Sequence, residues 1–386
     1  MVQIHPLVQK GKLSISLLKK KYSLNKLHTK KNILGYSLES LESFFVELNE
    51  SRFRAKQLLK WVHQKGVINF DLMTDFNKEL RKKLNSIAYL KPPLINKVFK
   101  SSEGTTKYLI ELESGSMVEM VEIPEKNRRT LCISSQAGCA LQCTFCATGA
   151  QGFEQNLSSD EIIGQLWLAN FNKKNKDPIT NVVFMGMGEP LLNFNAVIES
   201  AKIMKDQLAY GLSRKRVTIS TSGIVPQIDQ LAEAVDVSLA ISLHSADDNL
   251  RDEIVPINKK YPISSLINSC KKYLSNYNNK RNITIEYILI DGVNDSVKHA
   301  ERLTKLLSNI SCKINLIPFN KFAGSHYSRP SKEKITNFKD FLMKKGYIAT
   351  LRITRGDEVD GACGQLVGNL NKSIKSKKLI SHEAIL

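Results

Sequence analysis

No apolar run in this 386-residue chain approaches the roughly 18 residues that a membrane-spanning helix needs, so a bundle of spanning helices is excluded. Acidic side chains are scarce: 37 Asp and Glu stand against 56 Lys and Arg, giving a formal net charge of +19 and a pI near 9.5. Such a field attracts polyanions and speeds their capture, which makes nucleic acid the leading partner class. A lysine-rich soluble protein with no such partner is the plainer alternative. The opening Met1-Val2-Gln3-Ile4-His5-Pro6 lacks the charged-then-apolar order of a secretory signal. Seven cysteines, three of them clustered, are not the dense, evenly paired set of an oxidised secreted framework. The expected compartment is therefore a reducing cytoplasm, without membrane association.

The clustered cysteines lie in Ser135-Gln136-Ala137-Gly138-Cys139-Ala140-Leu141-Gln142-Cys143-Thr144-Phe145-Cys146-Ala147-Thr148-Gly149. Thiolate sulfur suits iron–sulfur clusters and zinc. A closed structural zinc site takes four protein ligands, whereas three leave a position open for substrate. Cys139, Cys143 and Cys146 therefore read as ligands of a [4Fe–4S] cluster with one open iron. The same spacing would also put three small apolar side chains on one helical face. Flanking glycines and the polar Ser134-Ser135-Gln136 lead-in argue instead for a loop.

At 42% hydrophobic residues, the chain can bury a large core beside smaller units. Residues 1–34 read as a basic flexible arm without patterned hydrophobicity. Residues 35–93 form a small helical unit: helix periodicity runs through 37–48 and again through 52–62, with Phe53, Leu58, Leu59 and Val62 facing a core and a basic face turned to solvent or phosphate. Residues 94–129 read as a connector and a β-hairpin of 107–112 with 117–123. Alternation groups Glu119 with Met117, Val121 and Ile123, where desolvation raises a carboxyl's pKa and prepares it as a base. Glu122, on the other face, would serve equally by position.

From residue 130 to about 355 strands alternate with helices. The expected strands are 131–135, 180–185, 216–220, 236–242, 283–289 and 312–317, with a further one near 348–353. Ser158 and Glu161 form a capping box opening the first helix, which buries Ile162, Ile163, Leu166 and Trp167. This alternation specifies an α/β fold, a partial (β/α)6 TIM-like barrel with a small N-terminal helical domain and a connecting hairpin. The unusual residues follow the strands: the cysteines, then Gly186-Met187-Gly188-Glu189-Pro190, Ser220-Thr221-Ser222-Gly223, Ser242-Leu243-His244, Asp291-Gly292 and Pro318-Phe319-Asn320. Barrels assemble active sites at this end. Residues 356–386 hold a glycine-rich loop around Cys363 and a basic tail from Asn369. Cys363 is a candidate nucleophile, Cys132 sits ambiguously on strand one, and Cys270 and Cys312 read as core.

The Cys139-x3-Cys143-x2-Cys146 spacing resembles the motif of radical S-adenosylmethionine enzymes. The stretches Gly186-Met187-Gly188-Glu189-Pro190-Leu191-Leu192-Asn193, Ser242-Leu243-His244, Arg251-Asp252-Glu253-Ile254-Val255-Pro256-Ile257-Asn258-Lys259-Lys260-Tyr261 and Ala362-Cys363-Gly364-Gln365-Leu366 resemble a narrower family. It is the dual-specificity 23S ribosomal RNA and tRNA adenine-C2 methyltransferases, and the likeness spans residues 35 to 370. The resemblance implies one [4Fe–4S] cluster per chain and two molecules of S-adenosyl-L-methionine per turnover. It implies that Gly188 and Glu189 hold the amino group of S-adenosylmethionine, with Ser220, Ser242, Leu243, His244 and Asn320 as its further contacts. By the same likeness Cys363 carries the methyl group, Cys132 releases the RNA adduct through a transient disulfide with Cys363, and Glu119 accepts the proton. The implied partners are 23S rRNA, tRNA and a low-potential electron donor such as flavodoxin or ferredoxin, acting on a monomer. The rivals are a C8-methylating relative that confers antibiotic resistance and a non-catalytic zinc- or cluster-containing RNA-binding protein.

Overall fold

The computed structural model describes residues 30–172, 177–278, 281–352 and 355–368. Residues 1–29 and the basic tail from Asn369 lie outside them; residues 31–34, expected as the end of the arm, instead belong to the N-terminal unit, Lys31 and Asn32 pairing with Ala88 and Tyr89 and Ile33 and Leu34 buried in its core.

The N-terminal unit is built from α1 (Leu38–Glu47), α2 (Phe53–His63) and α3 (Lys78–Ile87). Side-chain oxygens of Ser37 and Asn77 cap α1 and α3, each accepting from a backbone N–H three residues on. Leu41, Phe45, Leu58, Leu59, Val62, Leu80 and Leu84 fill its core. Phe53 departs from the expected pattern and is 59% exposed. The buried stripe of α2 is Ala55, Leu58, Leu59 and Val62; Phe53 lies two and five positions from its members, on the opposite side of a 3.6-residue helix. The unit docks on the large domain through Trp167 Nε1, which donates to Val62 O at 3.0 Å, and a 3.1 Å contact between His63 Nδ1 and Tyr210 OH.

One ten-stranded sheet organises the remainder. Its strands are β1 (Leu94–Lys100), β2 (Thr106–Glu111), β3 (Met117–Glu125), β4 (Arg128–Cys132), β5 (Asn181–Phe184), β6 (Val217–Thr221), β7 (Ser238–Ser242), β8 (Ile283–Leu289), β9 (Cys312–Pro318) and β10 (Ala349–Leu351). β1 to β4 are antiparallel neighbours, and β4 to β10 run parallel in chain order. The parallel part is the expected partial barrel, including the further strand near residue 350. The hairpin is continuous with it, because β3 pairs with β4. β1 was read only as connector: it is a sheet edge, exposed along most of its length, so its sequence carries no apolar alternation.

Pairing register sorts the side chains by face. Lys107 lies opposite Val121, and Val121 opposite Cys132; Cys132 lies opposite Val183, and Val183 opposite Thr218. Further along, Ser220 faces Ala240, Ser242 faces Glu286, Glu286 faces Asn315, and Asn315 faces Thr350. Opposed residues share a face, as do residues two apart on a strand. Lys107, Glu119, Cys132, Ser220, Ser242 and Glu286 therefore all project from one side of the sheet. On the other side pack the helices, among them α5 (Ser159–Phe171), which opens with the expected Ser158–Glu161 capping box and buries Ile162, Ile163, Leu166 and Trp167.

Candidate active site

The three cysteines are set on a loop that the fold holds from several sides. Cys139 N–H donates to Gly152 O at 2.8 Å, Thr144 N–H to Ile254 O at 3.2 Å, and Thr144 Oγ1 lies 2.9 Å from Tyr327 OH. The loop ends in α4 (Ala147–Gln151), for which Cys146 is the N-terminal cap residue. Gly149 has to be glycine here, since a Cβ would stand 2.9 Å from both the N and the O of Cys143. All three sulfur side chains line one cavity of about 150 Å³.

That cavity gathers most of the expected cofactor residues: Gly188, Glu189, Ser220, Ser242 and His244 line it with the cysteines. At Gly188, with φ of 97°, a Cβ would fall 2.4 Å from Gln136 Cβ, so only glycine lets the 186–190 turn pass this close. Glu189 is buried, its carboxylate accepting from Leu191 N–H at 3.0 Å and Ser222 N–H at 2.8 Å. Burial pushes its pKa up, and the Ser222 and Leu191 N–H groups together with the Thr221 side chain pull against it. A carboxylate can accept about four hydrogen bonds, so it still has room for a further donor such as an ammonium group.

His244 has a left-handed backbone, φ 62°, and its Nδ1 accepts from Ile288 N–H at 3.0 Å. Burial brings its pKa down to about 3, so the ring is neutral and carries its proton on Nε2. Leu243 and Asn320 do not line the cavity. Leu243 is core, and its carbonyl accepts from Arg251 Nε at 2.9 Å. Asn320 Nδ2 donates to Cys363 O at 3.2 Å, tying the end of β9 to the cysteine loop.

Cys363 lines the same cavity although it lies more than two hundred residues downstream of the other thiols. The contacts that bring it there are short: Ala147 N–H donates to Gly364 O at 2.7 Å, and Thr148 Oγ1 to Leu366 O at 2.7 Å. From the hairpin side Ser102 binds Glu358, and Val367 N–H donates to Glu119 Oε2 at 3.2 Å. The hairpin is thus the platform on which the cysteine loop rests. Cys132 is buried at the end of β4, outside the cavity lining, and the Cys363 sulfur raises its pKa. All seven cysteines are free thiols.

Glu119 stands apart from the cavity lining, fully buried, with Oε1 3.1 Å from Lys107 Nζ. Burial raises its pKa and the Lys107 ammonium opposes that rise. Glu122 is engaged elsewhere, accepting from Tyr108 OH at 2.9 Å and Arg129 Nη2 at 2.8 Å, which separates two carboxylates that alternation alone left equivalent.

Three soft thiols lining one cavity beside a carboxylate and neutral hydroxyl groups fit a [4Fe–4S] cluster with an open position for an amino acid headgroup. Two further residues matter that sequence reading left without a role. Arg251 is fully buried and clamps the ends of β6 and β7: Nη2 donates to Ser222 O at 2.6 Å and to Ser242 O at 3.2 Å. Arg352 joins the cavity two residues beyond Thr350.

Known proteins resemble the chain in both its parts. Residues 31–90 match the model described as the ribosomal RNA large subunit methyltransferase N-terminal domain, and residues 133–303 match the radical SAM superfamily. Two relatives, from Pseudomonas putida strains GB-1 and W619, bear the name dual-specificity RNA methyltransferase RlmN. They are 52% and 51% identical to this chain over 91% of its length and 93% of theirs. The crystal structure of a radical SAM methyltransferase from Sphaerobacter thermophilus superposes with a TM-score of 0.82 at 38% identity, covering 88% of this chain and 100% of that one.

Proposed function

Because the chain belongs to the dual-specificity RNA methyltransferases of the radical SAM superfamily, we propose that it methylates C2 of an adenine in 23S ribosomal RNA and in tRNA, with Cys363 as the methyl carrier. Membership sets aside the non-catalytic reading. The observation that carries the proposal is the docking of the Cys363 loop on the three-cysteine loop, through Gly364 and Leu366, within one cavity.

The [4Fe–4S] cluster and S-adenosylmethionine, when bound, supply a transferable methyl group and a carbon-centred radical. Cys139, Cys143 and Cys146 hold the cluster. Glu189 meets the amino group with its buried carboxylate, while Ser220, Ser242 and the Nε2–H of His244 offer neutral hydrogen-bonding groups in the same cavity; Gly188 admits the headgroup to the backbone, and Leu243 and Asn320 keep the strand ends in place. C2 of adenine is electron-poor, so simple displacement of a methyl group by that carbon does not work. Cys363 solves this by carrying the group on sulfur and bonding through it to the base, which is covalent catalysis. Glu119 accepts the C2 proton at its carboxylate. Cys132 then displaces the Cys363 sulfur as a thiolate, giving a transient disulfide.

The base must leave its stack to reach this cavity, as in a loop or a flipped site. The excess of cations suits the phosphates of both RNAs. We further place the enzyme in the cytoplasm as a monomer served by a small low-potential electron donor; among the described residues no helix is long and apolar enough to cross a membrane. Turnover on ribosomal and transfer RNA fragments, followed by mass analysis of the modified nucleoside, tests the reading. Methyl at C2 in both fragments is expected; methyl at C8, or none, overturns it.

A further inference from the structure

One cation shares the cavity with Cys363. Arg352 follows β10, and its N–H donates to Leu316 O at 2.8 Å, which fixes the backbone beside β9. Two residues past Thr350, its side chain returns to the face that carries Cys132 and Glu286. The guanidinium lines the cavity together with Cys363, and its Nη1 donates to Met185 Sδ at 3.7 Å. Glu286 supplies the counter-charge on the same cavity wall. It is anchored in turn by Asn315 Nδ2 at 2.7 Å, and Asn315 Oδ1 accepts from Thr350 Oγ1 at 3.1 Å. A polar ladder across three strands thus backs the arginine.

We propose that Arg352 is a positioning residue that holds the Cys363 sulfur toward Cys132 and supports exchange between the two sulfurs. The inference rests on the methyl-carrier reading of Cys363. In the exchange the Cys132 thiolate attacks Cys363 Sγ; an S–S bond forms and the C–S bond to the RNA-borne carbon breaks. The electron pair left on that carbon takes a proton and completes the methyl group. The carbon is reduced by two electrons, the cysteine pair is oxidised by two, and a dithiol reductant restores the thiols.

Cys132 needs assistance in this role, because burial pushes its thiol up to about 12. Besides burial, Cys363 raises it further, while Arg352 and a hydrogen bond with the Met185 backbone lower it. Arginine suits the place better than lysine, since its guanidinium keeps its charge when buried and its planar fork presents several donors at once. An ammonium would reach one sulfur as a point charge.

The test uses the anaerobic holoenzyme with Arg352→Gln and Arg352→Lys. Two quantities are read: the rate at which iodoacetamide alkylates Cys132 at fixed pH, by peptide mass, and the fraction of enzyme left covalently bound to RNA after one turnover. Arg352→Gln is expected to slow Cys132 alkylation on the order of tenfold, the effect of about one pKa unit on thiolate population. It is also expected to leave an RNA adduct standing although Cys132 is present, with Arg352→Lys recovering part of both. Iron content and melting temperature equal to wild type show that the fold is intact. Arg352→Gln that alkylates and clears its adduct at the wild-type rate overturns the proposal. If instead wild type carries no methyl on Cys363 and Cys132→Ala traps no RNA, the carrier reading has failed, and the alkylation ratio still decides whether Arg352 acts on Cys132.

Discussion

Lys107 and Glu119 form an ion pair at 3.1 Å with side chains 1% and 0% exposed. Removing one partner of such a pair strands a charge in an apolar sheet, at a cost of about 3–5 kcal/mol. Lys107→Met is therefore expected to lower the unfolding free energy by that amount in urea titration, and adding Glu119→Gln to recover part of it. Loss of the ammonium also raises the Glu119 pKa, so the ionised base is populated only at higher pH. The acid limb of the methylation profile should move upward in Lys107→Met; an unmoved limb would contradict the role given to Glu119. At this scale the sequence was legible in part. Alternation put Glu119 in apolar company, which the sheet bears out, but its partner was hidden because a buried lysine in a lysine-rich chain looks like any other. Arg352 was hidden for a related reason: a short edge strand offers too few residues for a period to declare itself.

Among the elements, α2 links the N-terminal unit to the barrel through His63, which is buried against Tyr210. Desolvation brings the His63 pKa from 6.5 down to about 3. Its folded pKa lies below the unfolded one, so its stabilising contribution is complete above about pH 6.5 and is lost as pH falls from there toward 3. The loss is about 1.4 kcal/mol per pH unit. Stability measured by denaturant at pH 7, 6 and 5 should fall less steeply in His63→Gln than in wild type; parallel falls would show that His63 is not buried neutral. Most of the parallel strands were legible as short runs rich in β-branched and apolar residues closed by turn residues, as Ile283–Leu289 before Asp291-Gly292. The 355–368 segment was not: glycine-rich sequence has no period, and its place is set by scattered hydrogen bonds to Ala147, Glu119 and Ser102 that leave no pattern in composition.

The whole molecule is a radical-generating barrel whose sheet continues into a hairpin, and the hairpin carries the loop that presents Cys363. Its net charge of +19 implies that RNA capture is largely electrostatic. Affinity for a tRNA fragment should fall steeply and linearly in logarithmic terms as salt rises; salt-insensitive binding would contradict that view. The central claim, however, is that one cysteine carries the methyl group and another releases the product, and the most direct measurement is denaturing electrophoresis with peptide mass analysis of Cys132→Ala after turnover on labelled RNA. A covalent RNA adduct mapping to the Cys363 peptide, absent from Cys363→Ala, is the expected result. Free RNA methylated at the wild-type level by Cys132→Ala, with no adduct, would contradict it.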